Sequence, residues 1–165
     1  MLRRVLRAVS LAAVLALLVG GTALADAGGQ GTVSTTQQFR NVPLFSAQVM
    51  NPCTGALGTL TGTAATAVFH VTSFTTGPEF WMTGTDEGTA TFTPDDPQGV
   101  SASGHFAEWF GESFNNKNDV QHDTSMFNLK GSDGSHIVVH SVDHFSINAN
   151  GVVTVSFSNF DIHCG

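Results

Sequence analysis

From Thr32 to the C-terminus, short runs of β-branched and aromatic residues alternate with polar ones, and clusters of turn residues interrupt them at close intervals. No stretch carries apolar residues at helical spacing, and no internal repeat of fixed period is present. The pattern predicts strands over Thr32–Arg40 and Leu44–Met50, broken at Asn41-Val42-Pro43, and a turn at Asn51-Pro52-Cys53-Thr54-Gly55. Leu57–Thr63 and Ala67–Phe74 follow, and Thr75-Thr76-Gly77-Pro78 turns the chain. Phe80–Thr85 and Thr89–Thr93 flank Asp86-Glu87-Gly88, which reads as a short hairpin loop, and Asp95–Gly99 makes a wider turn. Longer strands are expected at Val100–Ser113, Val120–Lys130, Ser135–Ile147 and Val152–Ile162, with a polar loop over Asn115–Asp119. Asp133-Gly134 and Asn150-Gly151 are the strongest hairpin signals, because such pairs accept the positive φ of a tight turn. This punctuation implies an all-β fold: a single antiparallel, β-barrel-like domain, with a β-sandwich as the alternative.

Alternation also suggests an inner face. Ala67, Phe69 and Val71 share one side of their strand, as do Val153, Val155 and Phe157 of the last one. Phe106 and Phe110 share a side as well, but Glu108 lies between them. Thirteen phenylalanines without a single tyrosine point to packing, because Phe has no polar handle that needs a partner.

The first 25 residues follow a different rule. Arg3, Arg4 and Arg7 precede an uncharged apolar run, Ala8–Val19, and Thr22-Ala23-Leu24-Ala25 supplies the small residues of a signal-peptidase site. The run is shorter than the roughly 20 apolar residues of a membrane-spanning helix. The expected organisation is therefore a signal peptide at 1–25, a flexible leader at 26–31 and one β domain at 32–165. The product is secreted and extracellular, with no membrane attachment after cleavage. Removing the signal leaves Arg40, Lys117 and Lys130 against thirteen acidic residues, a net charge of −10 with histidine neutral. Such a surface opposes nucleic acid and anionic lipid, whose binding rests on Lys and Arg neutralising phosphates.

Export gives the two cysteines, Cys53 and Cys164, an oxidising destination, and an even pair without Cys-x-x-Cys spacing reads as one structural disulfide. The seven histidines are the main chemical feature. His136, His140 and His144 recur every fourth residue, but on a strand four residues span about 13 Å, so consecutive members cannot share one ion. A metal site would need histidines from separate strands, and His70, His122 and His140 are the candidates. Glu108 and Glu112 are separated by the same distance and cannot act as a glycosidase pair. Trp81, Trp109 and His105 are candidate ligand contacts, although buried or rim packing is the plainer role for a tryptophan on a small β domain. Gly-x-Ser-x-Gly, a P-loop and His-Glu-x-x-His are all missing, and no cofactor is expected.

The Asn51-Pro52-Cys53-Thr54-Gly55 turn, the Gly131-Ser132-Asp133-Gly134-Ser135 turn, the Asn148-Ala149-Asn150-Gly151 hairpin and the closing Cys164-Gly165 together resemble small secreted actinobacterial proteins of unknown function. The resemblance covers most of the chain after the signal. It implies architecture and no activity, and Ala56 stands where many such proteins carry Glu. The expected function is non-catalytic binding of a small apolar ligand or an extracellular partner. Its rivals are a cyclase- or isomerase-like enzyme using His and carboxylates inside the barrel, and an acidic, His-rich metal-binding surface protein.

Overall fold

A computed structural model describes residues 23–25 and 31–165. The signal peptide read at 1–25 and the leader at 26–31 thus lie outside the described residues, apart from Ala23–Ala25 and Gly31. The elements are β1 (Ala23–Ala25), β2 (Thr32–Met50), β3 (Leu57–Phe74), β4 (Phe80–Pro94), β5 (Ala102–Phe114), β6 (Asn118–Gly131), β7 (His136–Asn148) and β8 (Val153–Cys164). They form one antiparallel sheet in which every strand pairs with its neighbours in sequence. No helix occurs among the described residues.

Three expected breaks fall instead inside continuous strands. β2 runs through Asn41-Val42-Pro43: Asn41 takes a φ of 53°, and the register against β3 shifts between Pro43 and Phe45. β3 runs through Ala65, which the β3–β4 register skips. Each is a bulge, where an extra residue sharpens the local twist without ending the strand. The hairpin expected at Asp86-Glu87-Gly88 does not exist, because these residues lie mid-strand in β4. Gly88 is there for clearance. A Cβ at this position would lie 2.8 Å from Ala64 Cα and 2.9 Å from Ala65 N, so only glycine lets β4 lie against the bulge. Gly88→Ala is therefore expected to lower stability by about 1–3 kcal/mol in urea unfolding. Gly77→Ala, where the new methyl would meet only Glu79 Cγ at 4.0 Å, should be nearly neutral. Equal effects at the two positions would refute the packing role of Gly88. The true hairpins fall where the sequence signals them, with Gly134 at φ 90° and Gly151 at φ 74°.

The sheet folds back on itself. Phe45 of β2 packs edge-on against Phe106 of β5 and Phe127 of β6, at centroid distances of 5.5 and 6.1 Å. Phe92, Phe106, Leu129 and Ile137 are buried beneath it. A second cluster joins Ala64, Ala67 and Phe69 to Phe39 and Phe110, which places Ala67 and Phe69 inside as their alternation requires. Val153, Val155 and Phe157 do the opposite. They are 49%, 41% and 52% exposed, and the inner positions beside them are Ser156 and Ser158, paired with Phe145 and Asp143.

No hydrogen-bonded pairing joins β8 to β2, so the sheet is not closed by backbone bonds. The expected disulfide spans this seam. Cys53, just after β2, bonds Cys164 at the end of β8, with their Cα atoms 5.7 Å apart.

Candidate functional site

The inner face divides into two regions along the strands. At the disulfide end, an apolar cleft of about 70 Å³ opens near the seam, lined by Val49, Leu60, Phe92, Leu129, Val139 and Phe160 among others. Its few polar side chains are already satisfied. Ser125 Oγ and Ser141 Oγ lie 2.8 Å apart and bond each other, and Asn51 Oδ1 accepts the backbone N–H groups of Cys53 and Thr54.

Towards the other end, carboxylates join phenylalanines on the same inner face. Asp86 lies opposite Glu108, which lies opposite Ser125. One rung further along, Asp123 lies opposite Asp143, and Glu112 and Asp119 follow towards the mouth. Directly opposed side chains on one face are about 4.5–5.5 Å apart at Cβ. Asp86 is 7% exposed, and its Oδ1 has no hydrogen-bond partner; Asp119 Oδ1 and Asp123 Oδ2 are likewise buried without one.

This setting favours the protonated forms. Burial, and then the nearby charge of Asp123, pushes Asp86 up to about 7. Burial also raises Asp123; a hydrogen bond with Glu108 opposes that rise, and repulsion from Asp143 adds to it. A hydrogen bond between two carboxyl groups requires a proton on one of them. Glu112 is raised by burial and by Asp119, against a hydrogen bond with Gln121. None of the three basic side chains of the domain offsets these charges: Arg40, Lys117 and Lys130 are all exposed.

The histidines stand on the other side of the sheet. His70, His105, His122, His136, His140 and His163 are exposed, and His144 alternates with the inner-facing Asp143 and Phe145. The metal candidates His70, His122 and His140 do not meet. They sit on β3, β6 and β7, and His140 faces Met126, four residues and about 13 Å along β6 from His122. The pairing that does form was not anticipated. His122 faces His144, with ring centroids 4.1 Å apart and Nδ1–Nδ1 at 2.7 Å, one nitrogen donating and the other accepting. Partial burial, and then His144, lowers the His122 pKa. Among the described residues, no three His, Cys, Asp or Glu side chains gather closely enough to hold a metal ion.

The ligand-contact candidates are also dispersed. Trp81 and Trp109 are 55% and 45% exposed on the outer face. Trp81 keeps one edge contact with Phe74 at 5.2 Å, and Trp109 flanks His122 at 6.5 Å. His105 lies four residues from Trp109 on β5, about 13 Å away, and Trp81 faces Ser113, the same distance beyond it. Trp109 does border a depression of about 450 Å³ with Thr66, Thr85, Asp86, Glu87, Glu108 and Thr124.

No protein-family model matches this chain, and no curated protein or solved structure shows significant similarity to it. No helix among the described residues is long and apolar enough to cross a membrane.

Proposed function

We propose that this chain is a secreted, non-catalytic binding domain, barrel-like in form, that takes a small apolar ligand or the apolar end of a larger one. The supporting observation is the cleft near the seam, whose walls are mostly apolar and whose polar side chains bond one another or the backbone. A cleft walled by apolar side chains gains affinity by removing apolar surface from water. The His-and-carboxylate enzyme finds less support, because the histidines face away from the inner carboxylates. At about 70 Å³ the cleft suits a fragment of a few carbon atoms; drug-sized ligands occupy roughly 300–1,000 Å³.

Methyl-resolved NMR during titration with toluene tests the reading. Resonances of Leu129, Ile137 and Val139 should shift saturably, while those of Val153 and Val155 stay still. Val139→Phe, which fills the cleft, should abolish the shifts. Uniform small shifts across both groups, or shifts that persist in Val139→Phe, would remove the cleft as a binding site.

A further inference from the structure

We propose that the carboxylates gathered on the inner face of β4–β7 form a binding site for a small organic cation bearing primary ammonium or guanidinium groups. The site lies at the end of the inner face opposite the disulfide, and the proposal stands independently of the apolar cleft.

Three observations carry it. The first is the unpartnered oxygen of Asp86. A buried carboxylate without a hydrogen bond or an opposite charge is among the most unfavourable groups a protein can hold, and Asp86 Oδ1 has neither among the described residues. The groups facing it are Glu108 from β5, Asp123 from β6 and, further across, Asp143 from β7; Ala67 faces it from β3. None is basic.

The second is access. Inner side chains at the disulfide end, such as Phe92, Phe106 and Ile137, are buried, whereas Glu112, Asp119, Asp123 and Asp143 are only half-buried. The inner face is thus partly open to solvent at Glu112, Asp119, Asp123 and Asp143, and Asp86 lies buried at the inner end of this row.

The third is spacing. A calcium ion needs six to eight oxygens at 2.3–2.6 Å, a shell these side chains do not make. Opposed carboxylates about 5 Å apart, with the next rung roughly 7 Å further along the strands, form a ladder of acceptors. A ladder suits donors spread along a chain. Several N–H groups of an ammonium or guanidinium can each take a different carboxylate oxygen, and charge-assisted bonds of this kind are the stronger ones. Protons occupy the same oxygens when the cation is absent, so binding and protonation compete.

Isothermal titration of the full secreted chain with 1,5-diaminopentane, in two buffers of different ionisation enthalpy, tests the proposal. Saturable one-to-one binding with net proton release at pH 6.5 is expected. Asp86→Asn, which keeps the shape and removes the charge, should weaken binding at least tenfold, and Asp123→Asn should do the same. Glu87→Gln, on the outer face of the same strand, should leave it unchanged. Thermal unfolding of each variant verifies that it is folded. Absence of binding at millimolar diamine, binding by Asp86→Asn or Asp123→Asn as tight as that of the parent, or equal loss in Glu87→Gln would overturn the site. So would calcium chloride that competes with the diamine and binds more tightly than it does, because the occupant would then be a metal ion.

Discussion

Replacing Cys53 and Cys164 with serine is expected to destabilise the domain by as much as about 4–5 kcal/mol, the value of closing a loop of roughly 100 residues in the chain-entropy account. The bridge closes a sequence separation of 111 and is the one covalent link across a seam with no strand pairing. At a urea dependence of about 2 kcal/mol per molar, the unfolding midpoint should fall by about 2 M. The cleft should suffer too, because Asn51 and Pro52 of its wall lie beside Cys53. A midpoint shift below about 0.5 M, with toluene binding intact, would mean that packing of Phe45 on Phe106 and Phe127 holds the seam without the bond.

The second large effect concerns pH. Asp86 titrates near 7 when folded, against 3.8 for the ordinary carboxyl group. Between these values the folded chain holds a proton that the unfolded chain has lost, so stability falls as pH rises from about 4 to 7 and levels off above. Asp123 and Glu112 are raised in the same direction and add to the slope. Converted at 1.36 kcal/mol for each tenfold change, the Asp86 share is at most about 4 kcal/mol. Asp86→Asn should therefore flatten much of the decline and be more stable than the parent at pH 8. Urea unfolding at pH 5, 6, 7 and 8 measures this. A parent protein whose stability rises over that interval would show that the carboxylates are ionised and well solvated.

The all-β class, the disulfide and the late hairpins were legible in the sequence because each rests on local chemistry. Gly134 and Gly151 need only their own φ, and Cys53 and Cys164 had only each other. The misread turns have a shared cause. Asn41-Val42-Pro43 and Asp86-Glu87-Gly88 have the composition of loops, but they occur where strands bend or pass close, and composition does not distinguish a bulge from a turn. The inner carboxylates were hidden for a related reason. Glu108 between Phe106 and Phe110 looked like a contradiction in the alternation, when it marked the level at which the inner face turns polar. The His122–His144 pair had a usable signal, since residues equidistant from Asp133 oppose each other across the β6–β7 hairpin. The same symmetry pairs Asp123 with Asp143. By contrast, the approach of Phe45 to Phe106 depends on how far the sheet curls, which no local pattern encodes.

The order of the strands has a consequence for how the molecule is made. Each strand pairs with the one before it, so a chain delivered N-terminus first can add strands one at a time to an edge that is already present. Loop closure between adjacent strands is short-range and entropically mild. The exception is the bridge, whose second cysteine is the last residue of β8. Oxidation is therefore the last event, and it acts as a latch on a finished sheet. A molecule bonded between Cys53 and Cys164 is by construction one in which β2 to β8 have all been delivered.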